Sequence, residues 1–261
     1  MTNIPAKKSL GQNFLKSKVA LLKMVEAGEI SGKDTVLEVG PGKGVLTEKL
    51  LEKAGKVIAI EKDHRLIELL QEKFATEIAD SKLVLLNQDI LDLGLKDVPK
   101  PYKIIANIPY YITGQFLRKF LEIDSQPERI IVMVQKEIAQ RIMAHDKKES
   151  LLSISVKAYG QPKMIMKVGK ENFSPAPKVD SAILAICNIS KNLFTENKIE
   201  EKKFFEILHA GFAHKRKMLL GNLKSVTDKN LAAVFTTLGL SEKIRAEDLS
   251  LNNWVQLIKL L

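Results

Sequence analysis

Thr35-Val36-Leu37-Glu38-Val39-Gly40-Pro41-Gly42-Lys43-Gly44 is an apolar run that stops in alternating glycines, and a helical pattern follows over residues 44–53. It reads as the first strand and first crossover helix of a parallel sheet, with glycines where backbone must approach a ligand at the sheet's carboxyl edge. The ligand is not a dinucleotide: that fingerprint needs its third glycine three places after the second, where Val45 stands. The phosphate-binding loop ending in Gly-Lys-Ser/Thr fails as well. Nucleotide phosphates are therefore disfavoured.

Outward from this stretch, short apolar runs alternate with helical patterns through the first two thirds of the chain. Strands are predicted at 35–39, 56–61, 82–89, 102–107 and 129–135, and helices at 17–28, 44–53, 64–74 and 113–121. Such alternation is the pattern of parallel strands with helical crossovers. Residues 136–144 and 150–158 also read as helical, and 163–168 and 182–189 as two late strands around a proline-bearing loop, which predicts an antiparallel edge. From about Ser190 the strand signal stops, and 201–213, 228–238 and 250–261 read as short helices. The expectation is an α/β chain in two domains, 1–189 with an N-terminal arm and a helical 190–261.

Three further strand ends carry chemistry. Glu61 ends the second strand, where a carboxylate can accept from both ribose hydroxyls, and Asp89 ends the third, where it can accept from an adenine amino group. Taken singly, either acid is a solvated turn residue. Taken with the glycines on successive strand ends, they describe an adenosine without phosphates. The fourth strand runs into Asn107-Ile108-Pro109-Tyr110. The Asn107 amide oxygen can accept one exocyclic N–H of an adenine, the Ile108 carbonyl, held by Pro109, can accept the other, and Tyr110 can stack on an unstacked base. The alternative is a strand-ending turn.

Composition bounds the partners. Of 261 residues, 45% are hydrophobic, enough for a sizeable core, and the net charge of +10 suits a polyanionic partner without identifying one. The single cysteine, Cys187, excludes an internal disulfide and reads as a buried strand thiol, in keeping with a reducing cytoplasm. His64, His145, His209 and His214 form no ligand-spaced set, so no metal is expected. Residues 1–8 carry lysines without the apolar core of a signal peptide, and no run reaches the length of a membrane span. A soluble, cytoplasmic protein is expected.

With these residues in place the chain closely resembles the ribosomal RNA adenine dimethyltransferases, and within them the bacterial enzymes of the small (16S) subunit. The resemblance runs nearly end to end. Besides the segments above, Lys8-Ser9-Leu10-Gly11-Gln12-Asn13-Phe14-Leu15 is similar to the family's N-terminal motif, and Asn172-Phe173-Ser174-Pro175-Ala176-Pro177-Lys178-Val179-Asp180-Ser181 to its late target-base loop. Ala210-Gly211-Phe212-Ala213-His214-Lys215-Arg216-Lys217-Met218-Leu219 also resembles the small-subunit enzymes. Ile108 departs from the leucine common there.

The resemblance implies a Rossmann-like class I methyltransferase fold with a small C-terminal helical domain. Its cofactor would be S-adenosylmethionine, leaving S-adenosylhomocysteine, with Gln12, Asn13 and Leu15 closing over it, Gly40 and Gly42 beneath its methionine portion, Glu61 on the ribose, Asp89 on the adenine, and Asn107 where cofactor and target meet. It implies dimethylation at N6 of two adjacent adenosines in the 3′-terminal hairpin of 16S rRNA in the immature small ribosomal subunit, by a monomer. Tyr110 and Phe173 would receive the flipped base; Tyr111 is either a second stacking face or simple packing. Lys7, Lys8, Lys16 and Lys18, and in the tail Lys215, Arg216 and Lys217, read as RNA backbone contacts or as solvated faces. Two rival readings remain: a macrolide-resistance methyltransferase of large-subunit RNA, whose loop commonly has Gly-Ser-Gly where Gly40-Pro41-Gly42 stands, and a non-catalytic assembly factor of the small subunit.

Overall fold

The structure, a computed structural model, describes residues 4–94 and 98–261. The first three residues of the predicted N-terminal arm and residues 95–97 lie outside the described residues. In chain order the elements are β1 (Phe14–Leu15), α1 (Lys18–Ala27), β2 (Thr35–Val39), α2 (Val45–Leu51), β3 (Lys56–Glu61), α3 (His64–Lys73), α4 (Ala75–Ala79), β4 (Leu83–Asn87), β5 (Tyr102–Ala106), α5 (Thr113–Glu122), β6 (Arg129–Gln135) and α6 (Lys136–Ile142). There follow α7 (Leu151–Tyr159), β7 (Gln161–Val168), β8 (Phe173–Ser174), β9 (Ser181–Cys187), α8 (Asn192–Asn197), α9 (Glu201–Phe212), α10 (Leu219–Leu223), α11 (Leu231–Thr237) and α12 (Leu251–Leu260).

The chain divides into two compact units, one of residues 1–139 and 161–189, the other of 140–160 and 190–261. In the first, seven strands pair in the order β4-β3-β2-β5-β6-β9-β7. The five from β4 to β6 are parallel, and β9 and β7 add the antiparallel edge that the two late apolar runs predicted. Central strands β2, β3, β5 and β6 are buried almost throughout, as helices on both faces of a parallel sheet require. The chain leaves β2 outward to β3 and β4 and returns to β5 on the other side, so the strand order reverses between the carboxyl ends of β2 and β5. A crevice opens at that reversal, where open α/β sheets bind ligands.

Two predicted bounds shift. Asp89 does not end β4: the strand closes at Asn87, whose side-chain amide bonds the Glu61 carbonyl at 2.9 Å while Gln88 N–H bonds the same oxygen at 3.1 Å. That carbonyl is saturated, the ladder stops, and Asp89 falls in the turn beyond. The single division at 189/190 also gives way to a discontinuous one, because residues 140–160 group with the C-terminal helices. The cause is aromatic packing within the second unit: Tyr159 of α7 meets the Phe194 ring edge-on with centroids 5.3 Å apart and stacks on Phe205 at 5.8 Å. Apolar Ile154, Val156 and Ala158 of the same helix are buried.

The second unit is otherwise helical. Trp254 of α12 stacks on Phe212 of α9 at 5.6 Å, and a Cβ on Gly211 would come within 2.4 Å of the Trp254 ring, so only glycine lets these helices approach. Among the described residues no helix is long and apolar enough to cross a membrane.

Candidate active site

The crevice is a cavity of about 630 Å³, within the range of small-molecule sites, and every residue lining it belongs to the first unit. Its floor comes from the turn after β2. Gly40, Gly42 and Gly44 have φ of +73°, +59° and +73°, conformations that suit glycine. A Cβ on Gly40 would stand 2.8 Å from the Asn107 carbonyl oxygen, and one on Gly42 would stand 3.1 Å from the Phe14 ring. The loop is thus a cradle that side chains would fill.

Glu61, at the end of β3, is 7% exposed, and its two oxygens face separate backbone donors: Oε2 accepts from Gly42 N–H at 3.2 Å and Oε1 from Asp63 N–H at 2.9 Å. Burial pushes its carboxyl above the usual glutamate range, against those two hydrogen bonds. Each oxygen keeps a lone pair for a ligand hydroxyl. Asp89 lines the cavity with Oδ1 bonded to Leu91 N–H at 2.9 Å and Oδ2 to Lys62 Nζ at 2.6 Å. Burial opposes its ionisation, but the Lys62 and Leu91 hydrogen bonds win and hold the carboxyl below its ordinary value. Lys62 thus holds the carboxylate expected to meet an adenine amino group.

Asn107, Ile108, Pro109, Tyr110 and Tyr111 line the same cavity. Asn107 N–H bonds the Val39 carbonyl at 3.2 Å, carrying the β5 backbone to the glycine loop. Among the described residues its side-chain amide has no partner, and no hydrogen bond falls on the Ile108 carbonyl. Both acceptors remain available. Tyr110 bonds Ser181 Oγ through its hydroxyl at 2.5 Å, and Tyr111 is 66% exposed with Gly11 close against its ring.

The N-terminal motif closes the cavity. Leu10, Gly11, Gln12, Asn13, Phe14 and Leu15 all line it. Leu15 pairs with Phe173 and Phe14 with Ser174 in the small β1–β8 ladder, which ties the motif to the late loop. Phe14 lies under Lys43 Nζ, 5.1 Å from its ring centre. Asn13 bonds its own turn, donating to the Gly11 carbonyl at 3.2 Å.

One expectation is corrected. Phe173 is not a presented ring: it is 2% exposed, lies outside the cavity lining and packs in the hydrophobic cluster with Leu15, Val168 and Ile183. Ladder pairing with Leu15 turns its side chain inward, and only the neighbouring Ser174 reaches the cavity. Lys7 and Lys8 flank the motif without lining the cavity; residues 213–218, including Lys215, Arg216 and Lys217, are all exposed and belong to the second unit. Cys187 is a free, half-buried thiol on β9. Sequence reasoning missed Asp63, which is 5% exposed and joins Gln12 to the β3–α3 turn; its place one residue before a helical run was a readable N-cap signal.

Residues 3–261 match the family model described as ribosomal RNA adenine dimethylase. The chain is 41% identical to a ribosomal RNA small subunit methyltransferase A of Dehalococcoides mccartyi over 97% of this chain and 88% of that protein. Among solved structures it is similar to a dimethyladenosine transferase from Plasmodium falciparum, with a TM-score of 0.80, 27% identity, and coverage of 94% of this chain and 95% of that one. The 23S rRNA methyltransferase ErmE shares the fold, with a TM-score of 0.77 at 24% identity over 94% of this chain and 98% of that one.

Proposed function

The chain belongs to the ribosomal RNA adenine dimethylase family, and from that premise we propose that it dimethylates N6 of two adjacent adenosines in the 3′-terminal hairpin of 16S rRNA, on the immature small subunit. The observation that carries this reading is the pair of free acceptors, the Asn107 side chain and the Ile108 carbonyl, beside the cavity lined by Gly40, Gly42, Glu61 and Asp89.

The cavity fits S-adenosylmethionine. Gly40 and Gly42 would receive the methionine portion, Glu61 the ribose hydroxyls, and Asp89 the adenine amine. When bound, that cofactor supplies an electrophilic methyl group on a sulfonium. The protein's task is then to aim a poor nucleophile, because the N6 lone pair is delocalised into the adenine ring. Accepting both N–H groups at the Asn107 oxygen and the Ile108 carbonyl favours a more tetrahedral nitrogen, and orientation of this kind supplies much of a rate enhancement. As the new C–N bond forms, the methyl–sulfur bond would break with its electron pair going to sulfur, the nitrogen becomes cationic and acidic, and its surplus proton leaves to water. No general base is needed.

Tyr110 offers a face for the unstacked base and Tyr111 an exposed second one. The exposed Lys215-Arg216-Lys217 run supports contact with RNA phosphates. Mapping dimethyladenosine in rRNA from cells with and without the protein tests the whole reading. Marks lost from the small-subunit hairpin support it; marks lost from large-subunit RNA would transfer the protein to the macrolide-resistance branch. No change in either would leave an assembly role.

A further inference from the structure

Gln12 lines the cavity, and each end of its side-chain amide is bonded to the protein. Its Oε1 accepts from Lys7 N–H at 2.7 Å and its Nε2 donates to Asp63 Oδ2 at 2.9 Å. The carboxylate can only accept and the Lys7 N–H can only donate, so the amide has one orientation. The side chain thus ties the backbone at Lys7 to the turn that carries Asp63.

We propose that Asp63 is a positioning residue for the cofactor site: through Gln12 it holds the N-terminal segment 7–15 closed over the cavity. Asp63 is 5% exposed in the turn between β3 and α3. Its Oδ1 accepts from Arg65 Nε at 2.9 Å and Oδ2 from Arg65 Nη2 at 2.6 Å, a two-toothed pair that fixes the carboxylate plane. Its N–H donates to Glu61 Oε1. One residue thus orients both the expected ribose acceptor and the segment above it. The Arg65 hydrogen bond, with Gln12 adding to it against burial, lowers the Asp63 carboxyl to about 2, so the acceptor is ionised at neutral pH. From Gln12 the anchoring runs on to the target side: a Cβ on Gly11, φ +62°, would stand 3.3 Å from Pro109 and 3.4 Å from Tyr111.

The inference rests on the reading of the cavity as an S-adenosylmethionine site, and its test separates the two. Asp63→Ser keeps an N-cap acceptor for α3 but is too short to reach the Gln12 amide. Calorimetric titration with S-adenosylmethionine should show Asp63→Ser and Gln12→Ala each weakening binding by about tenfold, the worth of one hydrogen bond to a charged group. The double variant should fall no more than about twofold below the poorer single, because both remove the same contact. In the ligand-free protein, amide hydrogen exchange over residues 7–15 should accelerate about tenfold in Asp63→Ser while that of α3 stays near wild type. Multiplying losses in the double variant, or unchanged exchange over 7–15, would overturn the proposal and leave Asp63 a helix cap. Failure of the wild type to bind S-adenosylmethionine would instead overturn the cofactor reading, and the exchange result would still decide this one.

Discussion

The Tyr110 hydroxyl and Ser181 Oγ lie 2.5 Å apart, joining the aromatic ring after Asn107-Ile108-Pro109 to the buried first residue of β9. Burial raises the Tyr110 hydroxyl pKa against this hydrogen bond, so the phenol is neutral and the bond sets the ring's plane. Tyr110→Phe keeps a stacking face and loses the anchor; Ser181→Ala loses the same bond from the other side. Each should slow single-turnover methylation by several-fold, and the pair together should be no worse than either alone. Tyr110→Ala, which removes the ring, should cost more, with stacking worth roughly 1–3 kcal/mol per base. Full activity in Tyr110→Ala would remove the ring from the target site.

Glu61 offers a pH test of the cofactor assignment. Its ionised form is the better acceptor for ribose hydroxyls, and burial raises its pKa above the usual glutamate range. S-adenosylmethionine affinity should therefore fall on acidification at a pH higher than an ordinary glutamate would give. Glu61→Ala should weaken binding about tenfold to a hundredfold, abolish that acid limb and leave RNA binding near wild type. Calorimetric titration of each ligand across pH measures all three. An unchanged affinity in Glu61→Ala would remove the ribose role.

Phe173 separates packing from presentation. Buried at 2% exposure in the cluster with Leu15, it should cost about 3–5 kcal/mol of stability when cut to alanine, seen as a lowered melting temperature. Phe173→Leu should recover most of that stability. A normal melt with lost methylation in Phe173→Ala would restore the presented ring that its sequence setting suggested.

That residue marks where sequence reading stopped. The parallel strands, the crossover helices and the antiparallel edge were legible because periodicity and burial are local and repeat along each element. The glycine loop and Glu61 were legible because strand ends are countable from the pattern, whereas the third strand closes two residues before Asp89. The ladder Phe14–Ser174 and Leu15–Phe173 was not, since two-residue strands far apart in the chain leave no periodic trace. Without it nothing in the proline-bearing loop marks Phe173 as buried. Helix α7 is legible as a helix, and only its aromatic partners at Phe194 and Phe205 assign it to the second unit. Asp63 carried an N-cap signal, but its link to Gln12 spans 51 positions and needs the fold.

Glu38 gives the chain a built-in pH dependence outside the cavity lining. It is fully buried, neither oxygen has a hydrogen-bond partner among the described residues, and burial pushes its carboxyl from 4.5 to about 8. A raised folded-state pKa means the native chain holds a proton that the unfolded chain releases. The stability from Glu38 is thus complete below the ordinary glutamate range and is lost as pH rises from 4.5 through about 8, with a slope on the order of 1 kcal/mol per pH unit. Glu38→Gln should flatten the melting temperature across that window and raise it most at the alkaline end. An equal decline in wild type and Glu38→Gln would assign the slope to other groups.

Asn107 stands at the joint of the site. Its backbone N–H is fastened to Val39 and its carbonyl lies against Gly40, so the residue is held by the same loop that cradles the ligand, while its side-chain amide stays free. Because the backbone does the fastening, Asn107→Ala should leave the melting temperature and much of the RNA affinity unchanged. Methyl transfer should fall by roughly a hundredfold to a thousandfold, the worth of one preorganised group in comparable acyl-transfer sites. Asn107→Asp keeps an acceptor but places a charge beside the electron-rich adenine and the Ile108 carbonyl, which still has to accept the second N–H, so recovery should be partial. Single-turnover methylation of immature small subunits, with the melt measured alongside, reads both. A normal rate in Asn107→Ala would show that the amine is oriented by some other group, and the pair of acceptors would no longer carry the function.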